Sequence, residues 1–134
     1  MKRLKVDCKE KKILILGSGG TSKTARVVIE DLGCRNYYFV SRTKTAQTIT
    51  YQEAISIHND CDIIINTTPC GMYPNTDCLP IHLHNFKKLE AVVDVIYNPL
   101  RTKFIVKARN RKISAIGGLY MSVSYTHLRA HETL

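Results

Sequence analysis

Apolar positions in this chain alternate between short continuous runs and stretches of helical period. Ile13-Leu-Ile-Leu16 is a β-type run that stops at Gly17-Ser-Gly-Gly20, and beyond it Ala25, Val28, Ile29 and Leu32 share one face of a helix that Gly33 closes. Tyr37-Tyr-Phe-Val40, aromatic and β-branched, predicts a second strand. Residues 43 to 60 are polar and mixed, with a helix expected around Tyr51 to His58. Asp62-Ile-Ile-Ile-Asn66 has the unbroken apolar core of a parallel strand buried on both faces. Thr67 to Pro80 is proline-rich loop, and a weak helix is expected over Ile81 to Lys88. Ala91 to Ile96 reads as a fourth strand, Leu100 to Asn110 as a helix, and Lys112 to Ile116 as a fifth strand before Gly117-Gly118. Short apolar strands alternating with helices or crossovers predict an α/β fold with a doubly wound parallel sheet in three layers, α/β/α.

Composition narrows the class. The chain has 134 residues, 44% of them hydrophobic and 23% charged, the size and balance of one globular domain. No run approaches the roughly 18 apolar residues of a membrane helix. No apolar segment follows the basic N-terminus, so the expectation is a cytoplasmic protein without a membrane partner. Five cysteines, odd in number and without a C-x-x-C pair, read as incidental or buried thiols rather than a disulfide framework. The net charge of +9 sits largely in two clusters, before Ile13 and between Arg101 and Lys112. In the second, Leu100, Phe104, Ile105 and Ala108 recur at helical spacing and leave Arg101, Lys103, Lys107 and Arg111 largely for a solvated face. With no aromatic residues among the basic ones, a nucleic-acid partner is not expected.

The strand-turn-helix around Gly17-Ser-Gly-Gly-Thr-Ser-Lys-Thr24 is where a glycine turn cradles phosphate. Gly17 permits the tight turn, Gly19 permits close backbone approach to a pyrophosphate, and a helix starting near Gly20 presents free N–H groups. Ser22 stands where G-x-G-x-x-G has its third glycine, so the motif is a variant. The Walker A loop also fits at Gly17, Lys23 and Thr24, but fails at Ser22 and finds no acidic partner after the third strand. The second strand leads into Ser41-Arg42-Thr43-Lys44. NAD sites place a carboxylate about 20 residues beyond the glycines, whereas cationic and hydroxyl groups there suit the 2′-phosphate of NADP.

Together with these two segments, Ile64-Ile-Asn-Thr-Thr-Pro-Cys-Gly-Met72, Asp94-Val-Ile-Tyr-Asn-Pro99 with Thr102, and Gly118-Leu-Tyr-Met121 resemble, in order and spacing, the C-terminal NADP-binding domain of the shikimate dehydrogenases. The resemblance runs from about Lys11 to Met121 and implies a Rossmann-like fold with NADP as cofactor. It implies that Gly17, Ser18, Gly19, Gly20 and Thr21 hold the pyrophosphate and that Ser41, Arg42 and Thr43 hold the adenosine phosphate. It places Thr68 beside the nicotinamide ribose, Val95 and Gly118 at the nicotinamide, Tyr97 on the substrate, and Asn66 at the strand-to-loop corner.

The implied reaction is reversible, NADPH-dependent reduction of 3-dehydroshikimate to shikimate, a small-molecule substrate. The family's catalytic lysine and aspartate lie in an N-terminal domain, and this sequence starts about ten residues before its first strand. No catalytic residue is therefore assigned, and the chain alone is expected to bind cofactor with little or no turnover. A non-catalytic nucleotide-binding or regulatory module, or a quinate-type relative, are the other readings. The expected organisation is a basic lead-in over 1–10, the nucleotide-binding domain over 11–123, and a tail over 124–134 that departs from the family. Tyr125 stands in that tail where the family has a glutamine, and His127 and His131, four apart, find no third ligand for a metal.

Overall fold

The computed structural model describes residues 10–71, 76–95 and 102–117. Six strands, β1 (Lys12–Leu16), β2 (Asn36–Val40), β3 (Thr48–Ile49), β4 (Ile63–Asn66), β5 (Ala91–Asp94) and β6 (Ser114–Gly117), form one sheet in the order β3-β2-β1-β4-β5-β6. Every neighbouring pair is parallel. The chain starts in the middle, winds outward to one edge, then returns across β1 to build the other half. This is the Rossmann order, with its direction reversing between β1 and β4.

Strand alternation sorts the core into two layers. Ile13, Ile15, Ile63, Ile65, Ala91, Val93 and Ile116 face one side, where Ala25 and Ile29 of α1 (Gly20–Asp31) cover them. Leu14, Leu16, Val40, Ile64, Val92 and Ala115 face the other, against Ala54 of α2 (Tyr51–Ser56) and Phe104, Ile105 and Ala108 of α3 (Lys103–Asn110). Residues of β1, β4 and β5 are buried throughout because both faces are covered, which is why they read as continuous apolar runs. The three layers match the expected architecture. Gly33, at φ 94°, donates its N–H to Glu30 O at 3.0 Å and ends α1 as its position predicted.

Three expectations change. The sheet has six strands rather than five, because Thr48–Ile49 pairs with Phe39–Val40, and two residues leave no periodic signal. The helix expected over Ile81 to Lys88 contracts to a single 3₁₀ turn, Leu83–Asn85. Its apolar residues Ile81, Leu83, Phe86 and Leu89 are all buried, but at spacings that anchor an irregular segment instead of one helical face. Helix α3 begins at Lys103, capped by Thr102, whose hydroxyl accepts from Ile105 N at 3.3 Å. The lead-in over 1–9, the tail over 124–134, and with it the two histidines, lie outside the described residues.

Among the described residues, several of the clustered charges lie at the surface. Lys11 pairs with Glu90 at 2.9 Å and Lys12 with Asp60 at 2.7 Å, while Lys107 and Arg111 are exposed on and just beyond α3. At the start of α2, Thr50 and Glu53 form a reciprocal capping box, and Glu53 also takes a 2.6 Å ion pair from Lys44. The Lys44 ammonium, followed by the Thr50 N–H, holds the Glu53 carboxyl below its ordinary range. A lowered carboxyl contributes its stabilisation above the ordinary glutamate range and loses it as pH falls through the lowered value. NMR titration should therefore find Glu53 ionised below the pH at which free glutamate protonates, with α2 amide exchange accelerating only in more acid solution. Lys44→Ala should return it toward the ordinary range, and an unperturbed Glu53 in the wild type would exclude the pairing.

Candidate functional site

The carboxyl ends of β1, β2, β4 and β5 converge where the sheet order reverses, and the loops that leave them are tied to one another. Gly17 N donates to Val40 O at 2.8 Å, Thr67 N to Leu16 O at 2.9 Å, and Ser41 N to Ile49 O at 2.9 Å. The fit is closest at Gly17. Its φ is 116°, in the left-handed region, and a Cβ built there would lie 2.5 Å from Thr67 Oγ1, itself held by a 2.6 Å bond to Leu16 O. Gly17 is thus required by the fold itself.

Gly19 and Gly20 are different. Gly19 has extended backbone that any residue adopts, and a Cβ on either glycine would meet nothing within 4 Å. The structure places the start of α1 at Gly20, with no side-chain cap and no acidic residue in its first turn. Ser18, Gly19, Gly20 and Thr21 are exposed around that helix end, whose N–H groups and dipole favour an anion. Ser22 explains the missing third glycine: it is 1% exposed beneath the turn, and its hydroxyl donates to Gly19 O at 2.6 Å. A small residue suffices for the close packing, and the hydroxyl satisfies a loop carbonyl.

On the far side of the sheet reversal, a buried polar chain joins β5 to the loop after β4. Asp94 is 0% exposed and accepts from Thr102 Oγ1 at 2.7 Å and from Asn66 Nδ2 at 3.2 Å. Asn66 Oδ1 in turn accepts from Thr68 N at 3.0 Å and Thr68 Oγ1 at 2.6 Å, and Thr68 Oγ1 accepts from Cys70 N at 3.3 Å. Asn66 therefore fixes the strand-to-loop corner, as the resemblance implied, and it orients Thr68. Val95, half-buried, extends the ladder by donating to Asn66 O at 3.0 Å. Tyr97 and Gly118 lie outside the described residues.

Two clefts flank the segment from Ser41 to Lys44. A cleft of about 470 Å³ lies between Arg42 and Tyr51 on one side and Thr68, Pro69 and Cys70 on the other. Burial raises the Tyr51 phenol, against the pull of the Arg42 guanidinium beside it. A larger cleft, about 730 Å³, opens between α1 and the β2–β3 connection, where Ser41 and Thr43 line it. Lys44, which the sequence offered as added charge for a phosphate, is engaged by Glu53 instead.

The cysteines divide. Cys34 and Cys61 are buried thiols as expected, both raised chiefly by burial, Cys61 to about 12. Cys70 and Cys78 are bonded to each other, with Cα atoms 5.2 Å apart, which corrects the reading of all five as unpaired. The two stand eight residues apart, a pairing that spacing alone does not reveal. Both sulfurs belong to residues of the smaller cleft. Among the described residues no group of three or more His, Cys, Asp or Glu is arranged for a metal.

No family model matches the chain. Curated relatives do. A shikimate dehydrogenase (NADP(+)) of Clostridium perfringens strain SM101 is 34% identical over 133 residues, covering 92% of this chain and 49% of that protein. The enzyme of the same name from Geobacillus sp. strain WCH70 is 37% identical over 134 residues, covering 90% of this chain and 48% of the other. Among solved structures, a chorismate mutase/shikimate 5-dehydrogenase fusion protein from Clostridium acetobutylicum aligns with a TM-score of 0.80 at 34% identity, over 92% of this chain and 48% of that one. Shikimate dehydrogenase 1 from Peptoclostridium difficile aligns at 0.78, also 34% identical, with the same coverage. This chain spans about half the length of the curated relatives it matches.

The buried polar chain yields a direct test. Asp94→Ala removes the acceptor of Thr102 Oγ1 and the nearest of three acceptors of Asn66 Nδ2, and should lower stability by about 3 kcal/mol in urea unfolding. Thr102→Val, which also removes the α3 cap, should cost about 2 kcal/mol. A loss below about 0.5 kcal/mol for both, the range of an ordinary surface change, would show that the network supports nothing. By sequence and by fold, the chain is homologous to the shikimate dehydrogenases over a stretch amounting to about half of such a protein.

Proposed function

We propose that this chain is the NADP-binding half of a shikimate dehydrogenase. In that reading, the whole protein reduces 3-dehydroshikimate to shikimate reversibly at the expense of NADPH, and a second, N-terminal domain supplies the catalytic lysine and aspartate. The observation that carries it is the space above Gly19 and Gly20. The fold makes no demand for glycine at either position, yet both lie at the uncapped start of α1, where an added Cβ would enter the room a pyrophosphate needs.

Each residue then has a role in binding or orienting. Gly17 sets the turn, while the backbone of Ser18, Gly19, Gly20 and Thr21 receives the pyrophosphate as donors and as open space. Ser41 and Thr43 offer hydroxyls to the adenosine phosphate. Arg42 belongs to the same phosphate clamp and, lining the smaller cleft with Thr68 and Pro69, can also lay its guanidinium plane on the adenine. Thr68, its hydroxyl held by Asn66, lies toward the nicotinamide ribose, and Val95 presents backbone near the nicotinamide. Tyr97 and Gly118 complete this reading by resemblance, Tyr97 on the substrate and Gly118 at the nicotinamide. The bound cofactor supplies the hydride. The chain's contribution is position: it fixes the distance and angle at which the nicotinamide meets a substrate held by the other domain. The identity of the relatives and the Ser41-Arg42-Thr43 segment, which lacks the carboxylate of an NAD site, both support NADP.

Paired glycine variants separate fold from function. Gly19→Ala should leave the thermal midpoint within a degree or two while weakening NADPH binding by about tenfold or more in calorimetry, a loss of about 1.4 kcal/mol. Gly17→Ala, strained and clashing, should instead destabilise the chain by about 1–3 kcal/mol. Undiminished NADPH binding by Gly19→Ala would remove the main support for the assignment.

A further inference from the structure

The larger cleft holds two cations that the resemblance did not assign. Lys23 and Arg26 stand on one face of α1, and both line the 730 Å³ cleft opposite Ser41 and Thr43. None of the described residues around that cleft is acidic. Among the described residues neither cation forms an ion pair, and Glu30, one turn beyond Arg26, accepts from the Tyr37 hydroxyl. Arg26 Nε is buried without a hydrogen-bond partner. A buried guanidinium donor without an acceptor is costly, and it marks a place where an anion would be gained with little further desolvation.

The other cations of the neighbourhood are committed elsewhere. Lys44 is paired with Glu53 at 2.6 Å. Arg42 lines the smaller cleft, on the far side of the segment from the one that Ser41 and Thr43 line. The hydroxyls and two cations are thus together in the larger cleft, and the adenine-sized slot is in the other.

We infer that Lys23 and Arg26 bind the phosphate ester on the 2′-oxygen of the adenosine ribose, so that helix α1, and not only the segment after β2, selects a phosphorylated dinucleotide. This rests on the dinucleotide reading above and deepens it. The chemistry is that of a dianionic monoester meeting one ammonium, one guanidinium and two hydroxyl donors. No proton moves and no bond is made. Arg42 in this arrangement reaches the base from the smaller cleft and keeps its part in the phosphate clamp, to which Lys23 and Arg26 add.

The test is calorimetric titration of the whole chain with NADP⁺ and, separately, NAD⁺. Lys23→Ala and Arg26→Ala are each expected to weaken NADP⁺ by about tenfold or more, with NAD⁺ unchanged within about twofold. Lys23→Arg and Arg26→Lys should restore part of the loss, as a charge requirement demands and a packing role does not. Arg42→Ala should weaken both nucleotides, NADP⁺ the more. Thermal midpoints near that of the wild type would confirm that partly or fully exposed side chains were changed without unfolding. The inference is overturned if the two α1 variants weaken NAD⁺ and NADP⁺ equally, or if the loss specific to NADP⁺ appears in Arg42→Ala alone. In either case a wild type that prefers NADP⁺ leaves the cofactor reading standing. A wild type that binds neither nucleotide overturns both.

Discussion

A buried carboxylate holds the site together. Asp94 lies at the end of a central strand with no access to solvent, so its charge has to be met by donors from the chain itself. Those donors come from two different elements, the cap of α3 and the end of β4. Asn66 passes the constraint on, because the same side chain that donates to Asp94 accepts twice from Thr68. One carboxylate therefore sets the start of a helix on one face of the sheet and the path of a cleft-lining loop at its edge. A buried polar network of this kind specifies a single geometry, which an apolar contact of the same size would not.

This explains why the most specific stretch of the sequence is specific. The D-x-x-Y-N-P-x-x-T segment could be recognised by its spelling, but its spacing has a physical meaning: its first and last residues, Asp94 and Thr102, are hydrogen-bonded to each other. The N-T-T-P segment likewise contains the corner residue and the residue that the corner orients. Both motifs describe the support of the cleft, while the glycines describe its floor.

The strands and α1 were legible because burial on both faces writes an unbroken apolar run and burial on one face writes a period. Gly17 and Gly33 were legible because each needs a positive φ. What escaped reading depended on distant partners. Thr48 and Ile49 become a strand only through the edge that Phe39 and Val40 offer them, and Cys70 meets Cys78 without any local signal in their spacing. Lys44 looked available for a ligand because Glu53, nine residues on, carried no mark of being its partner. Lys23 and Arg26 were visible as residues of a glycine-turn helix, yet which way they face is settled only by packing Ser22, Ala25 and Ile29 against the sheet.

The two-residue length of β3 has its own outcome. An outer strand normally exposes a row of unpaired amides and carbonyls that can enlist another chain. Here that border is only Thr48 and Ile49, and Ile49 O is turned inward to Ser41 N. A two-residue margin offers few backbone groups to a further strand, beside a wide polar hollow.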